Sequence, residues 1–422
     1  MFQLFLQMRL IVVLFIVMLQ QVGQAQQLNG VVLTSDTKLP VPFASVYLAN
    51  TSVGTSTNIN GVFVIQSFPN GRFDLVVSCL GYETFQTTIQ SNKLDSLTIY
   101  LKPRAKELDE VVVQSYEKDG WNKWGKLFLE SFIGTTEFAQ NCTIKNYKAI
   151  RFKFNKKDNS LTAFANETLI VENKDLGYEI KYDLINFNYN FRTSVLYYSG
   201  YPFFTNMFTK RKGKQQRWER NRNEAYKGSL MHFMRAFYRN TFAEENFELR
   251  RLYKVPNTEK IRVKSIMSKS IKSTISNSKE PIRIRIGETS MESNGDNDSS
   301  AYYNRILREP DEKNILVNQL LTGDSIAYAF SNTIAVLDFD NYIQVTYKGK
   351  SEPEEYVQFQ KQNAPAASLT SVIHLVNKQP IYVTSNGMHY NGPDLLCSAY
   401  WAWSEKLANL LPFDFKPNTE KK

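Results

Sequence analysis

The chain has 422 residues, of which 42% are hydrophobic, 13% aromatic and 22% charged, a composition that excludes a disordered polypeptide and supplies two or three domains at about 100–200 residues each. Its 51 Lys and Arg exceed its 41 Asp and Glu, for a net charge of +10, which invites an anionic partner. Three cysteines exclude a disulfide-dense scaffold and a zinc site made of four thiolates.

The first expected element is an export signal. Residues 10–19 (LIVVLFIVML) form one apolar run, preceded by Arg9 and followed by the small-residue site Gly23-Gln24-Ala25, the pattern of a secretory signal peptide cut after Ala25. The run is shorter than the roughly 20 residues needed to span a bilayer, so no transmembrane segment is expected in the mature chain. No cysteine follows the cleavage point, which leaves no lipoprotein-type anchor. Cys79, Cys142 and Cys397 are odd in number and widely spaced. They read as three buried thiols acting as small hydrophobes, with a single Cys142–Cys397 pair as the alternative.

Residues 26–104 read as an all-β unit. Stretches 31–33, 44–48, 62–65, 73–78, 85–89 and 97–101 are rich in β-branched and aromatic residues. Turn chemistry separates them at Pro40 and Pro42, Asn60-Gly61, Pro69-Asn70-Gly71 and Gly81. Six or seven strands in about 75 residues suit a small β-sandwich. The ordered set Gly30-Val31-Val32, Leu39-Pro40-Val41-Pro42-Phe43-Ala44-Ser45-Val46, Gly54-Thr55-Ser56-Thr57-Asn58 with Gly61-Val62-Phe63, Pro69-Asn70-Gly71 and Gly81-Tyr82-Glu83 resembles the carboxypeptidase regulatory-like domain over residues 27–103. That resemblance implies a transthyretin-like sandwich. Asn58 and Asn60 stand where the family often carries an acidic residue, which weakens any cation-binding role for this turn.

Residues 105–118 read as a linker. Within it, Glu107-Leu108-Asp109-Glu110-Val111-Val112-Val113 is similar to the junction ahead of the plug and barrel in glycan-importing TonB-dependent transporters. The resemblance stops at Val113. Beyond it several stretches read as helix, and the chain ends in Thr419-Glu420-Lys421-Lys422 rather than in an apolar, aromatic-terminated strand, so a transporter barrel is not expected.

Residues 119–422 are expected to form a larger β-rich domain with a few helices, giving a mainly β protein. Asp119 can cap a helix whose Trp121, Trp124, Leu127, Phe128 and Phe132 share one face, stopped at Gly134. Strands at 149–154, 161–164, 168–171, 178–184 and 195–198 suggest an antiparallel meander with one wet face. Helices follow at 215–226 and 229–239. Short strands are expected at 261–263 and 282–286, with the Ser/Lys-rich stretch 265–279 and the polar stretch 287–300 as exposed loops. Strands resume at 325–330, 333–337, 342–347, 368–375 and 381–384, and a final helix at 399–411 is stopped by Pro412. The segment from Ala399-Tyr400-Trp401-Ala402-Trp403 through Leu410-Leu411-Pro412 resembles the tail of exported proteins that carry the same N-terminal domain and have no assigned activity.

Catalytic motifs are scarce. None of His232, His374 and His389 is spaced with a glutamate or a second histidine in the manner of zinc peptidase ligands, so neither metal nor cofactor is expected. There is no Gly-x-Ser-x-Gly elbow. Ser229 reads as a helix N-cap after Gly228, His374 as a cross-strand packing residue and His389 as a solvated loop residue. Gly349-Lys350-Ser351 lacks the first glycine of a phosphate loop, and Asp296-Asn297-Asp298 lacks the sixth-position glycine of a calcium loop.

Charge is regional. Residues 205–286 hold 21 Lys and Arg against 7 Glu. Lys210, Arg211, Lys212, Lys214, Arg217, Arg220 and Arg222 surround Trp218, a composition suited to nucleic acid, but export argues against that partner. A solvated helix face is the simpler reading. The functional one is an anionic partner outside the cytoplasm: a cell-envelope protein, an acidic glycan or an anionic lipid surface. Arg222, Tyr226, Ser229 and His232, spaced by four, three and three, fall along one helical face as a candidate ligand-binding group; a polar network holding helix to sheet is the simpler reading. The sequence thus points to an exported, non-enzymatic binding or assembly protein, periplasmic or associated with the outer membrane. Two alternatives stay open: a peptidase or glycosidase with an unrecognised C-terminal site of paired carboxylates, and an accessory of an outer-membrane TonB-dependent transporter.

Overall fold

The computed structural model describes residues 26–69, 71–91, 93–104, 116–277, 297–361, 367–390 and 392–418. The expected export signal with its cleavage point after Ala25, most of the expected linker, the strand expected at 282–286 and residues 287–296 of the polar loop expected at 287–300 lie outside the described residues, while 297–300 open a helix instead of a loop.

Seven strands open the described chain: β1 (Leu28–Thr34), β2 (Ser45–Leu48), β3 (Gly54–Ser56), β4 (Val62–Ile65), β5 (Arg72–Ser78), β6 (Phe85–Gln90) and β7 (Leu97–Leu101). They form two sheets, ordered β4-β1-β7 and β3-β2-β5-β6. Period-two alternation decides the inner faces: β1 buries Leu28, Gly30, Val32 and Thr34 in turn. A Cβ on Gly30 would stand 2.5 Å from the Phe63 ring, so the glycine leaves the space that Phe63 fills in a core with Val32, Leu48, Phe73, Leu75 and Leu101. Fully burying each such side chain contributes about 1.5–3 kcal/mol. At the β3–β4 turn, Asn58 Oδ1 accepts the N–H groups of Asn60 (2.9 Å) and Val62 (3.0 Å), while Gly61 takes φ +73°. Asparagine here staples the backbone of the turn.

The next unit begins with α1 (Gly120–Phe132) and continues through β8 (Cys142–Ile144), β9 (Ile150–Asn155), β10 (Ser160–Ala165), β11 (Leu169–Asn173), β12 (Tyr178–Asn190) and β13 (Val195–Asn206). The strands make one antiparallel sheet, β8-β11-β12-β10-β9 with β13 on β12. Helix α1 lays Phe128 against Phe187 (centroids 4.8 Å apart) and Phe132 against Tyr182 (4.9 Å). Asp119 holds the N-cap position without a side-chain capping bond; its carboxylate accepts from the Asn122 amide instead (2.9 Å). Gly134, at φ +105°, ends the helix by donating to the Leu129 carbonyl. Strands β12 and β13 run well beyond the expected 178–184 and 195–198, because a register shift between Leu184 and Asn186 resets the alternation that a continuous pattern would need.

The remainder comprises α2 (Lys212–Tyr226), α3 (Leu230–Arg239), β14 (Phe247–Pro256), α4 (Thr258–Asn277), α5 (Asn297–Arg308), β15 (Glu312–Leu320), β16 (Ala327–Ser331), β17 (Ile334–Leu337), β18 (Tyr342–Ser351), α6 (Glu354–Phe359), β19 (Ser368–Leu375), β20 (Ile381–Thr384), β21 (His389–Tyr390), β22 (Leu395–Ala399) and α7 (Tyr400–Ser404). Sheets β15-β14-β18-β19-β22 and β16-β17-β20-β21 share a core with α3 through Phe233, Phe237, Val345, Ile373 and Trp401. The strand expected at 261–263 and residues 265–277 of the loop expected at 265–279 are instead helix α4. Asn257 Oδ1 accepts the Lys260 N–H (3.2 Å) at its start, and of the β-branched pair that suggested a strand, Val263 is buried and Ile261 exposed, a helical arrangement. The single helix expected at 399–411 is α7 followed by a separate turn at Leu407–Asn409, because Glu405 leaves helical geometry at ψ 59°. Cys79, Cys142 and Cys397 are all free thiols, so the alternative Cys142–Cys397 pair is not formed.

The sandwich packs directly on the second unit. Tyr47, Ala49 and Val76 meet Tyr201 and Phe203. Backbone bonds stitch the seam: Asn50 N–H to Pro202 O (2.7 Å), Phe204 N–H to Thr51 O (3.0 Å) and Phe413 N–H to Asn50 O (2.7 Å). Among the described residues, no helix is long and apolar enough to cross a membrane.

Candidate functional site

The four residues singled out along the sequence do not share one helical face, because the helix breaks. Gly228 sits between α2 and α3 at φ +77°, where an added Cβ would lie 2.7 Å from the Tyr347 ring. Arg222, on α2, turns to the β11–β12 connection: its Nε donates to Leu176 O (2.7 Å), its Nη2 to Gly177 O (3.1 Å), and its guanidinium lies 3.9 Å over the Tyr178 ring. Tyr226, Ser229 and His232 do converge. Ser229 Oγ accepts the His232 N–H (3.1 Å) as the N-cap of α3. His232 Nδ1 accepts the Gly228 N–H (3.1 Å), so Nε2 carries the proton and donates to Glu245 (3.0 Å). Tyr226, Phe247 and Tyr347 enclose the imidazole at 4.6, 4.8 and 5.4 Å. Burial pushes the Glu245 carboxyl up, yet hydrogen bonds from His232, Thr241 and Arg239 outweigh it and hold it at about 2. Both ring nitrogens of His232 are therefore committed, one to the turn between α2 and α3 and the other to Glu245 in the segment that leads into β14.

The other histidines divide. His374 lies opposite Tyr342 in the β18–β19 ladder, stacks on it at 4.3 Å and bonds the Asn341 carbonyl through Nδ1 (2.6 Å). His389 is not a solvated loop residue. It belongs to β21, its Nδ1 is enclosed without a hydrogen-bond partner, and burial lowers its pKa. Lys350, in the would-be phosphate loop, lies in β18 and pairs with Glu224 (3.3 Å). Among the described residues, no group of three or more His, Cys, Asp and Glu is placed to hold a metal.

Two further features were not anticipated. A cleft of about 440 Å³ opens where the β5–β6 connection of the sandwich faces the meander. Ser78, Thr168 and Asp183 line it and belong to a hydrogen-bonded chain that continues beneath it: the Tyr47 hydroxyl donates to Asp183 Oδ2 (2.8 Å), Thr168 donates to Asp183 Oδ1, and the Ser78 and Thr168 hydroxyls meet at 3.5 Å. Arg104 bridges the walls by donating to the Asn166 carbonyl, Asn146 holds Glu167 (2.9 Å), and Leu80 and Ile185 stand exposed at the rim. Domain seams commonly hold ligand sites. Only the Gly81-Tyr82-Glu83 motif hinted at this one, because its other wall comes from residues some 60 to 100 positions away.

The second is a pair of half-buried ionisable neighbours, Glu405 and Lys406, where the two cores meet. Burial raises the Glu405 carboxyl to about 7, and its Oε1 accepts the Leu230 N–H (3.0 Å) at the start of α3. Burial likewise lowers the adjacent Lys406 to about 8, against the attraction of Glu405. Shifts of this kind mark functional groups as well as structural pairs.

The basic run lies on α2 and the turn before it. Trp218 is buried, with its indole N–H donating to Lys174 O (2.8 Å) and its ring filling the space a Cβ on Gly177 would need. Lys210, Arg211, Lys212, Lys214, Arg217 and Arg220 are exposed.

Comparison with known proteins bears on the N-terminal unit. Residues 28–113 match the family described as CarboxypepD_reg-like domain, so the sandwich is such a domain. Over 90 residues the chain is 37% identical to the TonB-dependent receptor P39 of Formosa agariphila. That match covers 21% of this chain and 8% of the receptor. Among solved structures, a 9R-lipoxygenase from Cyanothece PCC8801 aligns over 52% of this chain and 50% of its own at 12% identity, with a TM-score of 0.15. A score that low is no likeness of fold.

Proposed function

We propose that this is an exported, non-enzymatic binding or assembly protein of the cell envelope, which uses its CarboxypepD_reg-like domain and the β-rich unit behind it as one rigid body. The observation that carries this reading is the seam. Tyr47, Asp183 and Thr168 form a buried hydrogen-bonded chain across it, and the backbone of 50–51 pairs with that of 202–204. Such a seam orients the sandwich and opens a ready-made cleft beside it, which suits recognition. Relatedness of the sandwich to part of a TonB-dependent receptor supports an envelope setting, and an accessory role beside such a transporter is one form of the same reading.

Pull-down from envelope extracts with the purified chain tests it: a specific partner retained by the wild type and lost on filling the cleft with Gly81→Trp is the expected result. A Cβ at Gly81 meets nothing within 4 Å, although its φ of +87° adds strain, so folding of the variant is checked by circular dichroism and its thermal transition. Undiminished capture by a folded Gly81→Trp removes the cleft from the reading. The hydrolase alternative keeps one supporting observation, the Glu405 carboxyl held near neutrality. A screen with peptide and glycoside substrates, repeated on Glu405→Gln, decides it; activity abolished by that change overturns the non-enzymatic reading.

A further inference from the structure

Helix α2 is held by one side and charged on the other. Trp218, Asn221 and Arg222 donate to the carbonyls of Lys174, Asp175 and Leu176 at 2.8, 2.8 and 2.7 Å, which fixes the inward face to the meander. At 100° per residue, Arg220 points away from that face with Lys212 and Arg217 on its flanks. Residues 208–222 hold seven Lys and Arg and one Glu. Only Arg217 finds a carboxylate, Asp175 at 3.8 Å; Lys210, Arg211, Lys212 and Arg220 make no ion pair among the described residues.

An ordinary solvated helix mixes signs so that residues four apart attract each other, and it places acids, not bases, in its first turn. Here the first turn has no acidic residue, Arg211 occupies the N-cap position without a capping bond, and Lys210, Lys212 and Lys214 crowd the same end. The arrangement opposes helix stability and is maintained by the inward clamp. Beside it, in the turn leading from β13, Phe208 is 84% exposed. A large bare ring flanked by lysines and arginines matches the two layers of a lipid interface, acyl boundary and phosphate.

We infer that this face is a docking surface for an anionic lipid bilayer, with Phe208 entering the headgroup boundary and Lys210, Arg211, Lys212 and Arg220 contacting phosphates. The inference deepens the envelope-binding reading and rests on it.

The test is co-sedimentation of the chain beginning at residue 26, which contains every described residue, with vesicles of phosphatidylglycerol and phosphatidylcholine or of phosphatidylcholine alone. Binding to the anionic vesicles only, weakening as salt rises, is the expected result. Replacing Lys210, Arg211, Lys212 and Arg220 together by Gln should lower that binding roughly a hundredfold or more, and Phe208→Ser roughly tenfold. Millimolar inorganic phosphate should not compete. Equal binding to neutral vesicles, a quadruple variant that binds like the wild type, or preference for an acidic polysaccharide, a nucleic acid or an acidic soluble protein over the vesicles would overturn the inference. Unchanged tryptophan fluorescence confirms that the variants are folded. A partner captured from detergent extracts, with no vesicle binding, leaves the envelope-binding reading standing and removes this one alone.

Discussion

The half-buried neighbours Glu405 and Lys406 make a quantitative demand on stability. Below pH 4.5 the Glu405 carboxyl is protonated in both folded and unfolded chains. Between 4.5 and 7 the unfolded chain releases the proton while the folded chain, with its carboxyl raised to about 7, keeps it. The folded state then binds more protons, so stability falls as pH rises through this window. The full difference converts to about 3 kcal/mol by pH 8. Gln at this position retains an oxygen for the Leu230 N–H and cannot ionise. Relative to wild type, Glu405→Gln should therefore be near neutral in stability at pH 4 and gain steadily to pH 8. The gain stays below the full value, because Lys406 loses the negative neighbour that favours its charged form. Urea unfolding at four pH values, followed by tryptophan fluorescence, reads the difference directly. A difference that is flat with pH, or that turns less favourable as pH rises, refutes the reasoning.

Other consequences are local. Lys406, lowered to about 8 by burial, releases its proton in the folded chain before the unfolded chain does, so wild type should regain stability from pH 8 towards 10.5, a rise that Lys406→Met abolishes in the same titration. Gly228→Ala introduces a Cβ at positive φ, 2.7 Å from the Tyr347 ring; unfolding should show a loss of roughly 2–4 kcal/mol. His232→Ala leaves the Gly228 N–H and Glu245 each short of a partner, and denaturant midpoints should report a loss of about 2–4 kcal/mol, with vesicle binding unchanged once the variant is folded. Tyr47→Phe removes the hydroxyl donated to Asp183 across the seam; a loss of about 1–3 kcal/mol is expected, and separation of one thermal transition into two would reveal that the seam couples the units.

What the sequence reveals depends on how far apart the cooperating residues lie. The sandwich is legible because its information is local: period-two alternation in Leu28–Thr34, turn residues at Asn60-Gly61, and motifs that recur in a fixed order. Only β3, three residues with no apolar pattern, escapes. Strand β14, with Arg250, Arg251 and Lys254 inside it, and β15, an edge with almost every residue exposed, are illegible for the converse reason: their hydrogen bonding comes from neighbours in the sheet, and propensity contributes little. Helix α4 fails differently. Ile261 and Val263 look like a strand because β-branched residues are read before capping, and the deciding contact is Asn257 Oδ1 on the Lys260 N–H.

The site follows the same division. Ser229 as an N-cap is written in four consecutive residues, Gly228 to Met231. That Arg222 faces away from His232 is not, since a single φ of +77° at Gly228 rotates one helix against the other. A spacing argument assumes an unbroken helix, and the glycine that breaks it stands between the residues being counted. The cleft and the Glu405–Lys406 pair lie further out of reach, because burial is a property of the assembled seam and no composition encodes it. The basic run is the exception that joins both levels. Its charge is read directly from the sequence, while its meaning turns on Trp218, which sits among the cations as if ready to stack on a base. The structure spends that ring on Gly177 and leaves Phe208 as the exposed aromatic. A buried indole cannot serve a nucleic acid, whereas a bare phenyl ring beside unpaired lysines is suited to a lipid surface.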